Sequence, residues 1–160
     1  MKRKIAICLA MLMLWMPCSA AKAMPEVSSH SACVIDIDTG QILAAKNENE
    51  KSEPASITKI MTALIALENA DLKKVVTIPS AAAGVEGSSI YIKAGEKYSL
   101  EDLLYGLMLR SGNDAATAIA IDVAGSVDAF VEKMNQKAQE LGCTGTHFNN
   151  PHGLPDENHY

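Results

Sequence analysis

Cysteine is scarce in this chain, with four in 160 residues. Cys8 and Cys18 fall in an N-terminal stretch expected to be removed, and the remaining pair, Cys33 and Cys143, is too small for a disulfide framework. In an oxidising compartment, a bond between those two and two buried free thiols are both open. Long apolar runs are also missing. The longest, Ile5 to Met16, falls short of the roughly 20 residues that span a bilayer. It follows Lys2, Arg3 and Lys4 and leads into Ser19-Ala20-Ala21-Lys22-Ala23, the pattern of a secretory leader (residues 1–23) cut before Met24. An uncleaved anchor is the competing reading, but no stop-transfer pattern follows. Trp15-Met16-Pro17 ahead of Cys18 is a poor small-residue context for lipidation. Basic charge is lacking too. Loss of the leader takes four of the 14 basic side chains and leaves 10 against 19 acidic, a balance of −9. Such a chain has no electrostatic footprint for nucleic acid.

No repeat or low-complexity tract is present, and the only linker-like stretch is a flexible lead-in at residues 24–31. The 137 residues after the leader suffice for one domain with a core. Ala32 to Ile37 alternates into the turn Asp38-Thr39-Gly40, and Gln41 to Ala45 resumes an apolar strand, so a hairpin is expected. From Ser56, Ile57, Ile60, Met61, Leu64 and Leu67 recur at helical spacing to about Asn69. A second helix is expected over Leu100–Leu109, with Ser99 as cap, Asp102 at its third position and Tyr98 stapling onto Leu103. Its apolar face is Leu103, Leu104, Leu107 and Met108. Asn113-Asp114 should cap a third helix running to Gly125. Ser126 should open a fourth, with Phe130, Met134, Ala138 and Leu141 on one face. Thr77–Pro79 and Ser88–Ile92 read as short β-like pieces near the approach to a site.

Two short motifs carry chemistry. Ser56-Ile57-Thr58-Lys59 places a hydroxyl at the first helical turn, just after Pro54, with an amine three residues on along the same face. A serine hydroxyl is a weak nucleophile until a base within reach takes its proton. Lysine can be that base only when neutral, and an ordinary lysine is neutral in only about one molecule in 2,500 at pH 7. Burial must therefore lower its pKa. Ser111-Gly112-Asn113 lies on a tight connection between two helices, a rigid mount for polar groups aimed at a cleft. Each motif alone is also ordinary capping or turn chemistry.

Together with Phe148-Asn149-Asn150-Pro151-His152-Gly153-Leu154-Pro155, these motifs resemble the serine D-alanyl-D-alanine carboxypeptidases, which are low-molecular-weight penicillin-binding proteins. Pro54-Ala55, Met61-Thr62-Ala63 and Leu107-Met108-Leu109-Arg110 agree, and the likeness runs from about Ser31 to Tyr160. The resemblance implies an α+β fold, with a helical cluster packed on an antiparallel sheet. It also implies an enzyme outside the cytoplasm that trims the terminal D-alanine from peptidoglycan stem peptides and is inhibited by β-lactams such as penicillins. Ser56 would be the acylated nucleophile, Lys59 its proton acceptor and Ser111 the relay to the leaving amine. Asn113 would hold the substrate amide or the Lys59 amine. No cofactor or metal is implied. Residues 32–160 would be the N-terminal part of the catalytic domain.

One departure stands out. The Lys-Thr-Gly that closes the cleft in this family is missing; the nearest likeness, Cys143-Thr144-Gly145, has no cation and sits at a helix end. The expectation is a sequence truncated after Tyr160, lacking C-terminal strands and any membrane anchor that would follow, with activity of the piece itself in doubt and an exposed edge on the hairpin. Competing readings are a β-lactamase, which would carry Ser-Asp-Asn and a separate Glu, and a non-catalytic peptidoglycan- or drug-binding module. A metal site at His147, His152 and His159 is a further alternative, but the spacing lacks a helical zinc-pair face.

Overall fold

The computed structural model describes residues 26–160. The expected leader and Cys18 lie outside the described residues. The chain divides into two units, the first ending at Glu50 and the second covering Lys51–Tyr160. Among the described residues no helix is long and apolar enough to cross a membrane.

The first unit is the expected hairpin, β1 (Ala32–Ile35) antiparallel to β2 (Ile42–Lys46), with a register shift at Val34/Ile35. Its turn is built by Asp36, whose carboxylate accepts from the Thr39 N–H at 2.9 Å and the Thr39 hydroxyl at 2.6 Å, while Gly40 supplies the positive φ of 70°. Lys46 Nζ donates to the carbonyls of Val27 and Ser29. Val34, Ile35, Ile42 and Leu43 are exposed on this ribbon. Cys33 and Cys143 are both free and exposed, which corrects the expectation of buried thiols.

The second unit holds four helices, α1 (Thr58–Asn69), α2 (Leu100–Arg110), α3 (Asn113–Ala124) and α4 (Val127–Glu140). A small ribbon of β3 (Val75–Thr77) antiparallel to β4 (Lys97–Ser99) completes it. The architecture is α+β, as expected. Helix α3 is the central element: Asn113 through Ala120 are all buried, and its alanines let α1, α2 and α4 approach closely. Leu100, Leu103 and Leu107 of α2 and Val76 of β3 pack on one side of it, and Phe130 and Met134 of α4 on the other with Ile65 and Phe148. The α2 start is the capping box read from the sequence, Ser99 Oγ accepting from Asp102 N at 3.0 Å and Asp102 accepting from Ser99 N at 3.3 Å.

Four expectations change. In α1 the buried residues are Thr58, Lys59, Thr62, Ala63, Ile65 and Ala66, whereas Ile57, Ile60 and Leu67 are exposed. The helix buries its polar face because that face has hydrogen-bond partners waiting. Leu141 is exposed past the end of α4, and Met108 is half-exposed on α2. Asn113 and Asp114 do not cap α3 in the ordinary sense: the N-cap is Gly112 and makes no side-chain bond. Ser88–Ile92 is no strand. Its amides converge on a buried carboxylate instead of on a neighbouring strand.

Candidate active site

Ser56 is the middle residue of a single 3-10 turn, Ala55–Ile57, that runs directly into α1. Ala55 has φ of 48°, a left-handed conformation that costs a non-glycine residue on the order of 1–3 kcal/mol. Gly153 is packed against it. A Cβ at Gly153 would overlap the Ala55 carbonyl, and φ there is +88°, so only glycine lets the two backbones meet. The loop carrying Gly153 is shaped by Asn150, whose Oδ1 accepts from the N–H of His152 at 3.2 Å and of Gly153 at 2.6 Å, and whose Nδ2 donates to Leu154 O. In the sequence this loop is one of the segments that carry the family resemblance, but its residue types, an Asn with Gly three residues on, are those of a turn and assign it no contact with Ser56.

Lys59, the second residue of α1 and three residues after Ser56, is 3% exposed. Its Nζ donates to His152 O at 2.7 Å and lies 3.3 Å from Ser56 Oγ. No carboxylate pairs with it among the described residues. Burial therefore pushes its pKa below the ordinary lysine value with no counter-charge to restore it. This is the condition the sequence demanded of a lysine base. The same crowding acts on His152, which burial, the Lys59 charge and His159 together lower to about 4.

Ser111 reaches the cluster from the opposite side. It is the C-cap of α2 in a left-handed conformation, φ 55°, and its Oγ donates to Ser56 Oγ at 2.9 Å. An αL residue that is neither Gly nor Asn is held by its surroundings at a cost; here Gly112 N–H bonds back to Gly106 O at 3.2 Å and α3 starts at once. Ser56, Lys59 and Ser111 thus form one hydrogen-bonded cluster. Asn113 stands beside it but is not bonded to Lys59. Its Nδ2 donates to Glu86 O at 2.7 Å and its N–H to Ser88 O at 2.7 Å, with Gly87 so close that a Cβ would sit 2.7 Å from Nδ2.

The 86–92 loop is held by a residue that the motifs did not single out. Asp114 is fully buried, and its carboxylate accepts from Ser89 Oγ at 2.6 Å, Ile90 N at 3.1 Å, Ile92 N at 3.2 Å and Ala115 N at 2.9 Å. Burial alone would raise its pKa, but these donors outweigh it and hold the group below the usual carboxylate range. The three histidines of the metal alternative are engaged by protein instead. His159 bonds Thr58 Oγ1 and Asn149 N, His147 bonds Asn158 O, His152 Nδ1 accepts from the Leu154 N–H at 3.3 Å, and no metal-binding group of three ligands occurs among the described residues. Cys143-Thr144-Gly145 sits at the end of α4, with Cys143 N–H bonded to Ala138 O at 2.8 Å.

Known proteins resemble this chain in sequence and in fold. A sequence model of the family described as D-alanyl-D-alanine carboxypeptidase, peptidase S11, matches residues 18–160. The chain is 41% identical to the D-alanyl-D-alanine carboxypeptidase DacF of Bacillus subtilis (strain 168), over all of this chain and 44% of the relative. Against DacB2 of Mycobacterium tuberculosis (strain ATCC 25618 / H37Rv) the identity is 40%, over 82% of this chain and 45% of the relative. The crystal structure of DacD from Francisella tularensis matches with a TM-score of 0.80 at 39% identity, covering 85% of this chain and 34% of that one. The chain spans less than half the length of each. With a match over nearly its whole length and identities near 40%, the chain belongs to the D-alanyl-D-alanine carboxypeptidase family, peptidase S11.

Proposed function

We propose that the whole protein is a serine D-alanyl-D-alanine carboxypeptidase that releases the terminal D-alanine of peptidoglycan stem peptides through an acyl-enzyme on Ser56. The observation that carries this reading is the three-atom cluster: a nucleophile 3.3 Å from a buried, partner-poor amine and 2.9 Å from a second hydroxyl. With Lys59 neutral, its lone pair takes the Ser56 proton as Oγ attacks the carbonyl carbon of the penultimate residue. The backbone N–H of Ser56, in the turn that leads into α1, is the first donor to the developing oxyanion, a term often the largest in such catalysis. Collapse breaks the C–N bond, and the proton passes from Lys59 through Ser111 to the departing amine. Water then adds to the ester, Lys59 takes its proton, and Ser56 is restored as the shortened peptide leaves. Asn113 contacts the substrate amide.

A β-lactam follows the same first step, but its ring nitrogen stays tethered after the bond opens and the ester persists. The substrate lies outside the cytoplasmic membrane, in keeping with the leader read in residues 1–23. The test is covalent labelling of the full chain with a fluorescent penicillin. An adduct on the parent and none on Ser56→Ala is expected; an adduct that survives Ser56→Ala overturns the assignment. Rapid turnover of the ester instead of persistence would favour a β-lactamase.

A further inference from the structure

Thr58 lies between the two residues of the acyl-transfer pair, and its side chain has a partner 101 residues away in sequence. Its Oγ1 is 2.8 Å from His159 Nε2. Both residues are nearly sealed from solvent, Thr58 at 2% and His159 at 3% exposure. The imidazole is held on every side. Its Nδ1 accepts from Asn149 N–H at 3.0 Å, the Phe148 ring meets it edge-on at 5.7 Å, and its own backbone N–H donates to Asp156 O at 3.0 Å. Paired backbone bonds between His147 and Tyr160 lock the residue that follows. Because Asn149 N–H points at Nδ1, the ring proton must be on Nε2, and Nε2–H is the donor to Thr58.

We propose that His159 is a positioning residue for the Ser56–Lys59 pair, acting through Thr58 as the Nε2–H imidazole. The 148–160 segment meets the start of α1 at three points: His159 on Thr58, His152 O on Lys59 Nζ at 2.7 Å, and Pro151 O accepting from Thr62 Oγ1 at 2.6 Å. The middle point sets where the amine sits, and the outer two fix the segment that supplies it. Releasing Thr58 frees the turn to move against the His152 carbonyl, and a shift on the order of 1 Å in a reacting pair costs about 100-fold in rate. A charged ring does not fit, since a proton on Nδ1 would face the Asn149 N–H. Burial opposes that charge, as does His147, while Asp156 and Glu53 favour it. His152 on the neighbouring loop also feels His159.

The inference rests on the acyl-transfer reading of Ser56, and its test separates the two. In the full chain, the second-order rate of penicillin acylation is measured per folded molecule across pH 5–9 for the parent, His159→Ala, Thr58→Val, Thr58→Ser and the His159→Ala/Thr58→Val double variant. Thr58→Val keeps the branched shape and puts a methyl in place of the hydroxyl. Slowing on the order of 10- to 100-fold is expected for the first and second variants, with the double no slower than the slower single and Thr58→Ser restoring most of the rate. Nitrogen-15 NMR of the ring should report the Nε2–H tautomer, and the titration midpoint of Lys59 should rise in Thr58→Val. A folded Thr58→Val that acylates at the parental rate, or a ring protonated on Nδ1, overturns the inference. If the parent forms no ester, the acyl-transfer reading falls, and the tautomer with the Lys59 titration still decides the contact.

Discussion

Lys59 shows how far a single residue's chemistry is set by what surrounds it. The Ser-x-x-Lys spacing made the amine a candidate base, but spacing cannot say whether it is charged; that depends on burial to 3% exposure and on the lack of a carboxylate partner. A pH dependence follows. While Lys59 is mostly protonated, acylation at low penicillin concentration should rise about tenfold per pH unit. It should level off at a midpoint below 10.5, because burial lowers the amine. Lys59→Arg should abolish the reaction at every pH, since guanidinium stays protonated. A profile with no rise towards base at any pH below 10.5 would remove Lys59 from the proton path. The structure brings three side chains together, of which Ser56 and Lys59 were legible as a candidate pair from their spacing and Ser111 only through the family resemblance. His152 O and Gly153 were not, because a backbone carbonyl and a missing Cβ leave no chemical signature in a sequence.

At the scale of elements, legibility followed local rules and failed where tertiary hydrogen bonds overrode them. The α2 cap is encoded within four residues, Ser99 to Asp102, and formed as read; the hairpin formed as well, but its turn opens at Asp36, ahead of the expected Asp38-Thr39-Gly40, because the Asp36 carboxylate captures Thr39. Helix α1 defeated the periodicity argument because Thr58, Lys59 and Thr62 are buried against acceptors and donors roughly 90 to 100 residues away in sequence. Ser88–Ile92 defeated it for a related reason: its amides pair with Asp114. That carboxylate holds the loop on which Asn113 leans, through Glu86 O and Ser88 O. Asp114→Asn keeps the shape but removes the charge and presents N–H to N–H. A loss of about 2–4 kcal/mol of unfolding free energy is expected, read by denaturant titration. Exchange of the Ile90 and Ile92 amides should speed up more than that of the α4 amides. Unchanged exchange at those two positions would show that the loop does not depend on the carboxylate.

For the molecule as a whole, the buried titratable groups of the Lys51–Tyr160 unit all push stability in one direction with pH. His152 titrates at about 4 in the folded protein against 6.5 ordinarily, chiefly because it is buried, and burial also lowers His159. The unfolded chain therefore binds protons that the folded one refuses as pH falls below 6.5. Stability present above that pH is lost progressively down to about 4, and because His152 is only partly buried, water screens part of its share. Asp114 acts next: its lowered pKa contributes stability above the ordinary carboxylate value, which is lost as acid protonates it. The chain's net charge of −5 at neutral pH shrinks over the same range, which by itself would relieve repulsion and favour the fold. The local terms should win, because each acts on a buried or partly buried group whereas the net charge is spread over the surface. Melting temperature should therefore fall steadily from pH 7 to pH 5, before any carboxylate of ordinary pKa has titrated. His152→Gln should flatten a large part of that slope while leaving the decline below pH 4. A parent whose melting temperature holds level or rises between pH 7 and pH 5 would mean that His152 and His159 accept protons without loss, and that the tight packing of the 148–160 segment against α1 does not govern the acid response.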